Sequence, residues 1–262
     1  MNYASEISAV VQENAQNTIN AVEAFGATIT SYAAATNSTW PFVTIDDYPS
    51  RASRVAKLAG ANSVVFLPLV QEEDRDEWVE YCQKEKPRFF KQAIDYEELD
   101  YTVDELVQNS SPDIFRPDWA DLSKGIQAED SPGPYLVWWQ SFNLFLNKFL
   151  YTNLNLLSAP RAGNLFWTSS STLVPSFEVA TIPDPDKPGE YNVQSQLMQP
   201  VFEQIYDGKE GQERKVVGAI FIALDWIQYF QVRSFSRLLC SCTGHSINPS
   251  SVPAFPTMSY AT

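Results

Sequence analysis

QLMQPVFEQI at 196–205 and KVVGAIFIAL at 215–224 are the two stretches whose reading decides the fold. Both are rich in aliphatic and β-branched residues, and Asp207-Gly208 and Gly211 lie between them. That combination predicts two antiparallel strands joined by a turn. The apolar run at 216–224 is 9 residues long and ends at Asp225, whereas a membrane-spanning helix needs about 20. The second stretch is therefore a core strand.

Other strand signals lie upstream. SVVFLPLV at 63–70 is an apolar, β-branched run between polar flanks and reads as a buried strand, with Pro68 expected to break it or hold it at a sheet edge. YLVWWQ at 135–140 reads as another strand. The aromatic and leucine-rich segment 142–157 fits either a helix or a buried strand. TIPDPDKPG at 181–189 reads as a turn-rich loop, and 225–230 as the start of a helix.

Helical periodicity dominates the first third. Val11, Ala15, Val22, Phe25, Ile29 and Tyr32 recur at steps of three, four or seven and predict one long helix over 5–36, with Ser5 or Ser8 as its cap. Such a length suits a stalk or coiled-coil segment as well as an ordinary packed helix. The stripe is weak at Thr18. Asn37-Ser38-Thr39-Trp40-Pro41-Phe42-Val43 ends it, because Pro41 disfavours helical geometry at Trp40. A short helix is expected over 49–60, with Ala52, Val55, Ala56 and Ala59 on one side and Arg51, Arg54 and Lys57 on the other. An acidic helical region follows over 72–98, interrupted near Pro87. Another short helix fits 102–108, and Pro112, Pro117, Pro132 and Pro134 mark an irregular connection. Helices first and an antiparallel pair last make an α+β pattern, not alternating βαβ.

Composition narrows the function. The 262 residues carry 18 basic and 32 acidic side chains, a net charge of −14. A chain this acidic lacks the basic face that nucleic acid or anionic lipid requires. Residues 72–130 hold 18 acids against 7 bases, yet Trp78, Tyr81, Phe89, Phe90 and Tyr96 lie among them, so a solvated face on packed helices is expected there. From 231 to 262 there is no Asp or Glu, and no apolar period. That tail is expected to be without ordered structure. No secretory signal precedes the first helix.

Few residues point to chemistry. Phosphate-binding, zinc-protease and serine-hydrolase motifs are absent from the sequence. Cys240, Cys242 and His245 are metal-ligand types close together, but their C-x-C spacing and three donors fall short of a zinc site. Cys82, within a helical pattern, reads as a packed thiol. A carboxylate-based hydrolase would need two acids across one cleft, for instance Glu178 and Asp225. Tyr135, Trp139 and Gln140, beside Trp138, could wall a small-molecule pocket or simply fill the core. Alternation along a strand sends Trp138 and Trp139 to opposite faces. Asn37 and Asn109 each open a glycosylation triplet in a predicted loop. A soluble binding or adhesion module is a further alternative.

A set of blocks in order resembles the extracellular sensor region of algal receptor-type guanylate and adenylate cyclases. The blocks are Asn37-Ser38-Thr39-Trp40-Pro41-Phe42-Val43-Thr44 with Tyr48 and Arg51; Gly133-Pro134-Tyr135 with Trp139-Gln140-Ser141; Asn153-Leu154-Asn155-Leu156-Leu157-Ser158; Gln199-Pro200-Val201-Phe202; and Val216-Val217-Gly218 leading to Asp225-Trp226 and Tyr229-Phe230. The resemblance spans about residues 5–230. It implies a CHASE- or Cache-type sensor with a PAS-like antiparallel sheet, placed outside the membrane, with the helix 5–36 as its stalk and Asn37 and Asn109 open to glycosylation. It also implies a small-molecule ligand, a homodimer through the N-terminal helix, no cofactor and no catalysis, since the membrane helices and the cyclase domain of that family have no counterpart in this sequence. The expected organisation is a stalk-like helix (5–36), a sensor-like α+β domain (37–230) and a tail (231–262). The chain reads as part of such a receptor, or as a soluble truncated relative.

Overall fold

A computed structural model describes residues 3–117, 126–143, 145–146, 149–183, 191–205 and 214–225. The expected tail, with Cys240, Cys242 and His245, lies outside the described residues, as do the turn at 206–213 and residues 226–230. The helix α1 runs over Tyr3–Ala35. Val22, Phe25 and Ile29 are buried along its second half, as the periodicity predicts, and Ala33 rather than Tyr32 continues the buried line. Each of the three larger side chains contributes about 1.5–3 kcal/mol by leaving water. In the first half the buried line instead passes through Asn14 and Thr18, and Ala15 is exposed. Asn37, at φ 52°, ends the helix, and Ser38 N–H donates to the Ala33 carbonyl at 2.9 Å.

The second helix, α2 (Tyr48–Ala59), starts at Pro49 and stops at Gly60, whose φ is 69°. Its Ala52, Val55, Ala56 and Ala59 are buried. Strand β1 (Ser63–Val70) follows. The acidic segment forms α3 (Arg75–Glu97), which continues through Pro87 rather than breaking there. Its packing explains this: Cys82, Lys86, Phe89 and Phe90 are buried on both sides of the proline, so tertiary contacts outweigh the lost hydrogen bond. Asp76, Glu77, Glu80 and Asp95 face solvent while Trp78, Phe89 and Phe90 are buried. Helix α4 (Val103–Asn109) begins with a capping box, Thr102 Oγ1 accepting from Glu105 N–H and Glu105 accepting from Thr102 N–H.

The expected irregular connection holds a small ladder, β2 (Phe115–Pro117) with β3 (Ile126–Ala128). The expected 135–140 strand is divided into β4 (Tyr135–Leu136) and β5 (Gln140–Phe142). Segment 142–157 resolves as strand, with β6 (Phe145–Leu146) paired to β7 (Phe149–Leu150), then a turn at Leu156–Ser158. Helix α5 (Pro160–Thr172) has no counterpart in the sequence reading. Strands β8 (Ser176–Pro183), β9 (Tyr191–Phe202) and β10 (Val216–Asp225) complete the described residues. Two expectations are corrected here. Residues 181–183, read as loop, extend β8, because an edge strand tolerates a terminal proline. Asp225, read as a helix start, ends β10 opposite Gln194.

The sheet is antiparallel, in the order β4-β1-β10-β9-β8, with β5 also on β1. This is the α+β class that the sequence predicts, with a long N-terminal helix leading into an antiparallel sheet. Pro68 neither breaks β1 nor places it at an edge. Its carbonyl accepts from Val137 N–H at 3.0 Å, so its missing N–H faces the β4–β5 side. There Phe66 pairs with Gln140 but Leu69 with Leu136, one residue out of register. The bulge absorbs the missing donor. On the other side Pro68 faces Gly218, where a Cβ would lie 2.6 Å from the Leu67 carbonyl oxygen, so only glycine fits.

Alternation along the strands divides the core. Val64, Phe66, Leu197, Ile220, Ile222 and Leu224 pack toward α1, α2 and α3. Val65, Leu67, Met198, Phe221 and Ala223 pack toward α5 and the segment around Leu154 and Leu156. Trp139 joins the first cluster and Trp138 the second.

Candidate ligand cavity

Two hydroxyls seat α1 on the rest of the protein. Thr18 Oγ1 lies 3.0 Å from the Asn14 carbonyl and 3.1 Å from the Ala59 carbonyl at the end of α2, and directs its proton between them. Thr30 Oγ1 donates to the Phe202 carbonyl of β9 at 2.8 Å. Below Thr30 the helix lies close on the sheet, with Gly26 over Ile220 and Gln199.

Toward its N-terminus the same helix stands off the sheet. A cavity of about 180 Å³ opens there between α1 and the ends of β8, β9 and β10. Ala15, Thr18 and Ile19 form its helix wall, and Leu197 and Leu224 its floor. Phe177 of β8, with Pro175 just before it, closes the side. Phe177 pairs with Leu197 in the sheet and is 49% exposed, so this wall borders solvent. Among the described residues that line it none is ionisable, and the one polar side chain, Thr18, has its proton committed to backbone carbonyls. Such a space binds by exclusion of water and by shape, without acid–base or nucleophilic groups.

The residues expected to wall a pocket lie elsewhere, on the α3 side of the sheet. Trp139 is fully buried, with ring centroids 5.1 Å from Trp78 and 4.8 Å from Phe89, and its indole N–H donates to Thr44 Oγ1 at 3.1 Å. Gln140 spends both ends of its amide on one backbone residue, accepting from Ile45 N–H at 2.7 Å and donating to Ile45 O at 3.0 Å. The Tyr135 hydroxyl donates to Glu72, whose carboxylate also accepts from Gly133 N–H at 2.5 Å; these bonds hold Glu72 below the usual carboxylate range. None of the three lines the cavity. They tie loops 40–46 and 131–135 to the sheet. No sequence signal marked the cavity residues, because its walls come from four elements far apart in the chain.

Behind Trp78 lies a buried polar group. Asn153 Oδ1 accepts from Cys82 Sγ at 3.3 Å and from Trp78 Nε1 at 3.4 Å, and its amide donates to the Ser111 carbonyl at 3.1 Å. Lys86 Nζ donates to that same carbonyl. Burial pulls the Lys86 ammonium down to about 8 and pushes the Cys82 thiol well up, so Cys82 is a packed thiol and no nucleophile at neutral pH.

Glu178 and Asp225 pair with Gln196 and Gln194, so β9 runs between them. Asn37 is exposed in the turn after α1. Asn109 is exposed too, but it is the last residue of α4 and not in a loop, since the Thr102 cap starts a helix that runs on to it. Among the described residues no group of three His, Cys, Asp or Glu side chains could hold a metal ion, and no helix is long and apolar enough to cross a membrane. The chain matches no protein-family model and no curated protein.

Proposed function

We propose that the chain is a non-catalytic ligand-sensing domain of the receptor type its sequence resembles, with α1 as the output element. The observation that carries this reading is the position of the cavity. It lies at the seam where the long helix leaves the sheet, so an occupant touches both at once. A ligand that fits one separation of helix and sheet better than another shifts α1 along its axis or away from β8–β10. A preference of about 10- to 100-fold for one arrangement, roughly 1.4–2.8 kcal/mol, is enough to bias such an equilibrium.

The sheet supports the same reading. Counting 135–142 as one segment, the main strands stand in the order 2-1-5-4-3, in keeping with the PAS-like sheet that the resemblance implies. Exposed asparagines at Asn37 and Asn109 suit a domain outside the membrane, and a second copy paired along α1 belongs to the proposal. The alternative of a carboxylate hydrolase gains nothing from a cavity without carboxylates.

The test is recovery of the ligand. A compound that stabilises the protein should be released chemically unchanged after prolonged incubation, as read by mass spectrometry. Steady conversion into a product would contradict a sensor and favour an enzyme.

A further inference from the structure

We infer that the cavity takes a neutral, rigid apolar molecule, of the size of one benzene ring with one or two further carbons, and that it rejects the same skeleton once it carries a charge. The inference rests on the sensing reading for its biological sense, and on the walls of the cavity for its chemistry.

Size comes first. A dry apolar cavity of about 150 Å³ holds one benzene molecule. The volume here, about 180 Å³, leaves room for little more. It lies below the roughly 300 Å³ at which ordinary cofactor and metabolite pockets begin, so a nucleotide or sugar would not fit wholly within it.

Polarity comes second. Ala15, Ile19, Leu197, Leu224 and Phe177 offer only carbon. Thr18 has already given its proton to the Ala59 and Asn14 carbonyls. A carboxylate or ammonium seated against these side chains would lose part of its water and gain no ionic partner among the described lining residues, a cost that the neutral skeleton does not meet. Shape comes third. Phe177 presents a half-exposed ring at the side, against which a flat or compact molecule packs best.

Ethylbenzene is the neutral probe, with benzoate and benzylammonium as charged partners of similar size. Titration calorimetry on the full chain should show one-site binding of ethylbenzene, and its melting temperature should rise with the logarithm of ligand concentration. Both charged probes should bind at least about tenfold more weakly. Ala15→Phe, at an exposed helix position, should fill the mouth and abolish ethylbenzene binding. Leu224→Phe, which fills from the sheet side, gives the same readout if the first variant melts early.

The outcomes separate the two ideas. Charged probes binding as tightly as ethylbenzene, or ethylbenzene binding unaffected by either filled variant, overturns the ligand class. So does an absence of ethylbenzene binding in the parent chain. Ethylbenzene binding that the filled variants abolish, with no change in α1 hydrogen exchange, upholds the ligand class and overturns the sensing role.

Discussion

One face of the sheet is packed in two different ways. At its β1–β5 end, Trp139 packs edge-to-face against Trp78 on one side and Phe89 on the other, with ring centroids 5.1 and 4.8 Å away, and the buried amides of Gln140 and Asn153 have hydrogen-bond partners. At its β8–β10 end, α1 bridges a space of about 180 Å³ that is lined, among the described residues, by apolar side chains and Thr18. The first end is a tied structure. The second lacks atoms where a core would have them, so its lining forgoes dispersion contacts that a ligand could restore. The proposed binding seat lies at the loose end, where filling the gap would change the position of a helix without dismantling the core.

Mutations should separate the two ends by size of effect. Trp139→Ala removes the centre of the aromatic cluster and should cost about 3–5 kcal/mol in urea denaturation. A smaller loss would mean that this end, too, is loosely packed. Leu197→Ala, on the cavity floor, should cost only about 2 kcal/mol, because part of its surface already faces empty space. A loss as large as that of Trp139 would show the gap to be closed in solution.

Lys86 tests the tied end through pH. Its folded pKa, about 8, lies below that of an unfolded lysine, so between the two values the unfolded chain binds more protons. Stability from this group therefore rises as pH increases from about 8 to 10, by roughly 2 kcal/mol across the window. The rise should be present in the parent and absent in Lys86→Met, measured as the difference between their denaturation profiles. Equal profiles would mean that the ammonium is solvated. The smallest effect is expected for Thr18→Val, which removes the bond to Ala59 and should cost about 1 kcal/mol while speeding amide exchange in α1.

Much of this architecture could be read in the sequence, and the misses share a cause. The β9–β10 pair, β1 and α2 have strong local signals: apolar runs with turn residues at their ends, or a clear buried side. Pro68 and Pro87 misled the reading because each rule for proline is local, whereas a bulge on the facing strand and burial on both sides of α3 supply what the residue lacks. Helix α5 escaped notice because WTSSST at its end favours other conformations; its helicity comes from packing Leu165 and Phe166 on the sheet. Tyr135, Trp139 and Gln140 stood out by residue type, but the type suits a buried tie as well as a pocket. The cavity has no sequence signature, since Ala15, Phe177, Leu197 and Leu224 are ordinary apolar residues until four elements place them around a gap.

Hydrogen exchange across α1 tests the central claim most directly. With ethylbenzene bound, the amides of residues 12–22 should exchange more slowly while those of α3 around Phe89 stay unchanged, because only the helix over the cavity gains contacts. Binding that leaves residues 12–22 as before, or that slows α3 equally, would contradict the account.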